Sequence, residues 1–170
     1  MKLTLTKTTI QHHHYWLASS PVGLAFIGRV DGAENEWQQF YPTATASIDQ
    51  TSNQTAIRAL RAYLSGQPFD PAVVLDLTPG TPFQQRVWQA LRQIPYGQTR
   101  SYSELATSIA RPRAVRAVAS AVAHNPLLMA VPCHRIIRKD GQLGNYRGGV
   151  AMKRALLTLE DAHCHACGRP

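Results

Sequence analysis

The chain has 170 residues, of which 44% are hydrophobic and 16% charged, and it carries a net charge of +8. That length buries an ordinary core in one domain or two small ones, and the composition excludes fibrous and disordered classes. No apolar run approaches the ~18 residues of a membrane span, and Met1-Lys2-Leu3-Thr4-Leu5-Thr6-Lys7 has neither the apolar region nor the cleavage site of a signal peptide, so the chain reads as cytoplasmic.

The cysteines Cys133, Cys164 and Cys167 are too few and too late in the chain for a disulfide framework, which suits a reducing compartment and a free thiol at position 133. The charge is unevenly spread. Residues 1–70 carry five bases against five acids, whereas residues 71–170 carry 13 bases against five acids, and 11 of those 13 are arginine. Arginine's planar fork suits phosphate, so a basic half beside a neutral half points to a nucleic-acid partner.

From the N-terminus, residues 4–10 and 15–18 read as β-prone runs, and 22–30 as a third that ends at the turn dipeptide Asp31-Gly32. The triplet His12-His13-His14 falls where strand residues alternate faces, a poor arrangement for a metal, and none is assigned. Residues 56–64 place Ile57, Leu60 and Leu64 at helical spacing, closed by Gly66 just past the helix end. Pro68, Asp70 and Pro71 mark a boundary between an N-terminal α/β domain, 1–70, and a C-terminal domain, 71–170. Residues 73–77 allow one more strand.

Thr81 before Pro82 is a helix start, and Phe83, Val87, Ala90, Leu91 and Ile94 share one face of the helix that follows. Ser101-Tyr102-Ser103-Glu104 has capping-box spacing and opens a short helix through Leu105, Ala106 and Ile109. After Arg111-Pro112-Arg113 comes a second helix over 114–123, giving the outline of a helix-turn-helix.

The second of these helices is nearly all small residues, with Arg116 as its one long side chain. A helix with ordinary side chains is roughly 10–12 Å across against about 6 Å for the minor groove, so a face of Ala117, Ala119 and Ser120 lets a helix approach a widened minor groove. Arg116 could then enter the base stack as a wedge. Close packing inside the protein would explain the same small face.

Val131-Pro132-Cys133-His134-Arg135 sets a thiol beside an imidazole and an arginine, a combination able to generate a buried thiolate. In an extended segment neighbouring side chains point to opposite faces, so a water between His134 and the thiol, with Glu160 orienting the imidazole, would solve the geometry. The tail, 162–170, is expected to be mobile, and its His163, Cys164, His165 and Cys167 offer metal-type ligands without a second pair.

Together, residues 81–88 (TPFQQRVW), Ile94-Pro95-Tyr96-Gly97, Ser101-Tyr102, Arg116-Ala117-Val118, Asn125-Pro126, Pro132-Cys133-His134-Arg135 and residues 144–149 (GNYRGG) resemble the O6-alkylguanine-DNA alkyltransferase family, without a gap from about 72 to 161. The resemblance implies an α/β (α+β) chain with an N-terminal ribonuclease-H-like small sheet and helix. The C-terminal domain would be helical and winged-helix-like, with a helix-turn-helix. It implies a monomeric repair protein that binds duplex DNA by the minor groove, flips an O6-alkylguanine and moves the alkyl group irreversibly onto Cys133, with no cofactor. O4-methylthymine is a further substrate candidate.

The resemblance also distributes roles. His134, Glu160 and a water deprotonate Cys133, and Tyr102 crowds the target phosphate and donates to the base. Arg116 replaces the extruded base. Asn125 is a hinge, the backbone carbonyls of Cys133 and Ile136 accept from guanine, and Tyr146 and the backbone of Arg147 line the pocket. Arg147 stands where some members carry a small hydroxyl residue, Leu128 where some have proline and Ala119 where glycine is frequent. The cysteines that hold zinc in some members are absent before Cys133. Other readings are a non-catalytic binder of alkylated bases, against which Cys133 argues, and a cysteine hydrolase, which leaves the small-residue helix unexplained.

Overall fold

The computed structural model describes residues 1–164 and resolves into two compact units, residues 1–79 with 126–130, and residues 80–125 with 131 onward. The architecture is mixed α/β. Among the described residues no helix is long and apolar enough to cross a membrane.

The first unit is built on a four-stranded sheet in the order β3-β2-β1-β4, from β1 (Lys2–Ile10), β2 (His13–Ser19), β3 (Leu24–Ile27) and β4 (Thr45–Ile48). β1 and β2 form an antiparallel hairpin around Gln11 and His12, whose φ values of 51° and 68° are those of a primed two-residue turn. His12 is therefore a turn residue. His13 bonds Asp31 at 2.7 Å and His14 bonds Thr9 at 2.9 Å. Among the described residues no group of three or more His, Cys, Asp or Glu is placed to hold a metal.

Strand β3 is shorter than the expected 22–30 run, and all four of its residues are buried. β4, absent from the sequence reading, is exposed along its whole length and is placed by parallel pairing with β1. Helix α1 (Gln54–Leu64) buries Ala56, Ile57, Ala59, Leu60 and Tyr63. It ends as expected: Gly66, at φ 96°, donates to Tyr63 and Gln67 donates to Ala62, which satisfies two terminal carbonyls.

Residues 73–77 do not form a strand of their own. Leu24 N–H donates to the Val74 carbonyl at 2.9 Å and Asp76 N–H to the Leu24 carbonyl at 2.8 Å, a single bridge on the outer edge of β3. Further along that edge Ile27 N–H donates to Pro126 at 3.0 Å. These bonds move the division from the expected 70/71 to 79/80 and bring residues 126–130 into the first unit. Asp76, fully buried, accepts from the Ser20 hydroxyl and from Thr78, which fixes the bridge.

In the second unit α2 (Pro82–Leu91) opens on a full capping box between Thr81 and Gln84 and buries Val87, Trp88 and Leu91. It stops before Ile94, but Ile94 is still buried. Helix α3 (Tyr102–Ser108) opens on the expected Ser101–Glu104 box, and α4 (Val115–Ala123) follows. α4 buries Val118, Ala121 and Val122, and Trp88 donates its indole N–H to the Ala121 carbonyl at 2.8 Å. Two-residue strands β5 (Arg100–Ser101) and β6 (Ile136–Ile137) pair in parallel. Helix α5 (Val150–His163) runs into the segment 162–170 expected to be mobile, so the first two residues of that segment are helical. His165 and Cys167 lie outside the described residues.

Candidate active site

Cys133, His134 and Arg135 form a single 3₁₀ turn, not the extended segment that sequence suggests. At three residues per turn, neighbouring side chains diverge by about 120° and do not oppose one another. Cys133 is 4% exposed and His134 fully buried.

His134 Nε2 lies 2.6 Å from Glu160 Oε1. Glu160 also accepts from Arg135 Nε at 2.9 Å, from Arg135 Nη2 at 2.9 Å and from the Gly97 N–H at 3.0 Å. Burial opposes ionisation of Glu160, but the hydrogen bonds from His134 and Arg135 outweigh it and bring its carboxyl to about 2. A carboxylate only accepts, so Nε2 of the neutral imidazole carries the proton and Nδ1 is its basic nitrogen. Burial holds the imidazole below its ordinary pKa despite Glu160, which keeps it neutral and able to take a proton.

Burial pushes the Cys133 thiol up, so in the free protein it rests protonated rather than as a standing thiolate. Three other residues, and the backbone of Cys133 itself, oppose burial. Asn125 Nδ2 donates to Sγ at 3.0 Å and to the Val131 carbonyl at 2.9 Å, while Arg147 and Lys153 supply positive charge.

The remaining candidates fall into two groups. Tyr102, at the first turn of α3, is half-buried, and its hydroxyl pKa is raised by burial and then by Cys133. The Tyr146 hydroxyl is buried, and its ring meets that of His134 edge-on at 6.4 Å and 85°. A Cβ on Gly148 would come within 2.7 Å of the Tyr146 ring, so only glycine fits there. On α4, Arg116, Ala117 and Ser120 are exposed and Ala119 is half-buried, leaving a small-residue face open to solvent.

A family model described as "6-O-methylguanine DNA methyltransferase, DNA binding domain" matches residues 82–162. The Mycobacterium tuberculosis methylated-DNA–protein-cysteine methyltransferase is 46% identical over 158 residues, 90% of this chain and 95% of its own length. The chain belongs to the methylated-DNA–protein-cysteine methyltransferase family. The inducible Bacillus subtilis member is 41% identical over 151 residues, 86% of this chain and 84% of its own. A solved structure described as Mycobacterium tuberculosis OGT in complex with DNA has a TM-score of 0.78 at 39% identity, covering 96% of this chain and 94% of that one.

Two residues of the cluster carry no sequence signal of their place in it. Arg135 reads in sequence only as a neighbouring cation, yet it donates to both Glu160 oxygens and, through Nη1, to the Ile94 carbonyl at 2.7 Å. Lys153 is fully buried on α5, with Nζ donating to the Ile136 carbonyl at 2.5 Å and to the Leu143 carbonyl. Burial brings its pKa down to about 8, with Cys133 acting in the opposite direction. A lysine side chain carries no sequence signal of burial. The carbonyls of Cys133 and Ile136 are each already engaged, by Ile136 N–H and by Lys153, and each keeps a second lone pair.

Proposed function

We propose that this protein repairs alkylated DNA by a single irreversible transfer of the alkyl group from O6-methylguanine, and from O4-methylthymine, to Cys133. The observation that carries this is the buried cluster in which Asn125 donates to Cys133 Sγ while the adjacent His134 is held by Glu160. A buried sulfur supported by donors, beside a neutral base, suits in-line attack on an alkyl carbon.

Nδ1 of His134 takes the thiol proton through a bridging water, and the imidazolium so formed faces the Glu160 carboxylate. Sulfur bonds to the methyl carbon as the carbon–O6 bond breaks, and that electron pair goes to guanine O6. Tyr102, kept protonated by its raised pKa, donates toward the base as this charge develops. The backbone carbonyls of Cys133 and Ile136 accept from the guanine amino group, and Tyr146 and the Arg147 N–H line the pocket. The thioether has no leaving group to return, so each molecule acts once and needs no cofactor or metal.

The basic C-terminal half binds duplex DNA from the minor groove as a monomer, with the exposed face of Ala117 and Ser120, flanked by Ala119, against the groove floor. Arg116 fills the place of the extruded base, and Asn125 joins α4 to the sulfur as a hinge. Flipping costs a few kcal/mol, least for a weakened pair such as one with an alkylated guanine. This work on DNA suits the cytoplasmic location read from the sequence.

The test is incubation with duplex DNA carrying radiolabelled O6-methylguanine. Label should reach one equivalent per protein and map to Cys133, and Cys133→Ala should abolish it. Binding without labelling would indicate a damage-recognition protein, and turnover beyond one equivalent a hydrolase; either result defeats the proposal.

A further inference from the structure

The turn that follows β6 brings a surface cation close to Tyr102. Arg138 comes directly after Ile137, and Ile137 pairs with Ser101, the N-cap of α3 and the residue before Tyr102. The Arg138 backbone is fixed at both of its polar groups. Its N–H donates to the Gln142 carbonyl at 2.8 Å, and its carbonyl accepts from the Gly141 N–H at 2.9 Å. A Cβ on Gly144 would come within 3.3 Å of Arg138 Cγ and within 3.7 Å of both Arg138 Cδ and the Tyr102 hydroxyl. The arginine stem and the tyrosine hydroxyl therefore converge on one backbone position.

The guanidinium beyond that stem is accessible and loosely held. The Arg138 side chain is 55% exposed, with Nη2 at 3.3 Å from the half-exposed Asp140 carboxylate and Nη1 at 3.4 Å from Gln142 Oε1. Exposed pairs of this kind are weak and screened by salt, so a phosphate, whose oxygens match the guanidinium fork, displaces the carboxylate. Arg138 shares a recess of about 370 Å³ with Arg100, Lys139, Ser101 and Ser103. Glu104 also lines this recess, and its Oε2 accepts from the Ser101 N–H at 2.6 Å and the Ser101 hydroxyl at 2.8 Å.

We propose that Arg138 receives the backbone phosphate of the nucleotide that leaves the stack, a reading that rests on the function proposed above. The family resemblance gives Tyr102 the task of crowding that phosphate, and crowding alone only raises its energy in the stacked position. A guanidinium whose stem lies against the same glycine as the Tyr102 hydroxyl offers the displaced phosphate a two-pronged partner. The two residues then bias one equilibrium from its two ends: Tyr102 destabilises the stacked nucleotide and Arg138 stabilises the extruded one. This task differs from that of Arg116, which fills the emptied place in the stack. Arg138 holds the strand that has moved and, as a phosphate contact, reads no base.

Two measurements on full-length protein test this, both with duplex DNA carrying O6-methylguanine and both in a Cys133→Ala background, so that the methyl group stays on the base. The first is affinity by fluorescence anisotropy between about 50 and 200 mM salt, where each phosphate contact contributes about 0.9 to the slope of log affinity against log salt. Arg138→Gln should lower that slope by about one, and Arg138→Lys, which keeps the charge, should retain it. The second is the emission of 2-aminopurine placed beside the lesion, which rises when its neighbour leaves the stack. At saturating protein Arg138→Gln should produce about half the rise of the parent, and Arg138→Lys, which lacks the fork, a rise between the two. An unchanged slope in Arg138→Gln overturns the contact. A lower slope with unchanged emission makes Arg138 an ordinary backbone contact and overturns its part in extrusion. Failure of the wild-type protein to take label from O6-methylguanine DNA would defeat the functional reading alone, since slope and emission do not depend on transfer.

Discussion

His134 Nε2 and Glu160 Oε1 meet at 2.6 Å in a place where neither side chain is more than 1% exposed. The contact fixes the tautomer, because an ionised Glu160 accepts and Nε2 must then donate. Glu160→Gln removes the charge that anchors Arg135 and leaves a guanidinium buried without its counter-ion. Breaking one partner of such a pair costs about 3–5 kcal/mol. Urea denaturation should show a loss of that order, and methyl transfer should fall by more than the folded fraction does, since a neutral amide cannot stabilise an imidazolium.

Stability should fall with acid in two stages. Burial keeps the folded His134 below its ordinary 6.5, so the unfolded chain gains a proton there before the folded one does, and stability declines as pH drops below about 6.5. Glu160 is depressed from 4.5 to about 2, so its contribution is complete above 4.5 and is lost as pH falls from 4.5 toward 2. Urea midpoints measured between pH 7 and pH 3 should trace both stages. Glu160→Gln should reduce the lower one, leaving what Asp49, Asp31 and Glu104, also depressed, contribute.

The buried amine of Lys153 gives an alkaline counterpart. Its folded pKa of about 8 lies below the ordinary 10.5, so the unfolded chain binds the extra proton between these values and stability should rise as pH increases from 8 to 10.5. Lys153→Met leaves the carbonyls of Ile136 and Leu143 without this donor, which costs at least about 1–3 kcal/mol. Equilibrium unfolding at pH 7.5 reads the loss, and repeating it at pH 10 should show a larger difference from wild type, because only the wild type gains stability as Lys153 deprotonates.

The proposed function assigns separable contributions to Arg116 and the small face of α4. Arg116→Ala should slow transfer from duplex DNA by about tenfold or more, since nothing then offsets the few kcal/mol of unstacking. Transfer from the free base O6-methylguanine should be unchanged. Ala117→Phe puts a large ring on an exposed position of the face meant for the groove, so it should weaken duplex binding in fluorescence anisotropy without altering thermal stability.

Local chemistry was the legible part of this chain. The caps at Thr81 and Ser101 and the Gly66 termination follow from side chains whose preferences are strong and short-range. What escaped was decided by distant partners. β4 has no alternating apolar pattern, and only its register with β1 makes it a strand. Residues 73–77 carry strand-like residues but meet just one edge position of β3. Lys153 and Glu160 lie on the buried stripe of α5 with Met152 and Leu156, where side-chain type alone assigns them to solvent. Their partners, two carbonyls and an arginine, come from elsewhere in the chain and reverse the expectation.

The 3.0 Å approach of Asn125 to the Cys133 sulfur also has a meaning for the protein's lifetime. Once sulfur carries a methyl group it is a thioether, a weak acceptor, and the added carbon needs room in a site only 4% exposed. Overfilling a close-packed interior costs roughly 1–3 kcal/mol. The strain falls on the asparagine that also holds the Val131 carbonyl, so a spent molecule differs from a fresh one in its own stability. That difference should show as a lower urea midpoint in the spent protein and a larger unfolded fraction, a built-in mark of its age.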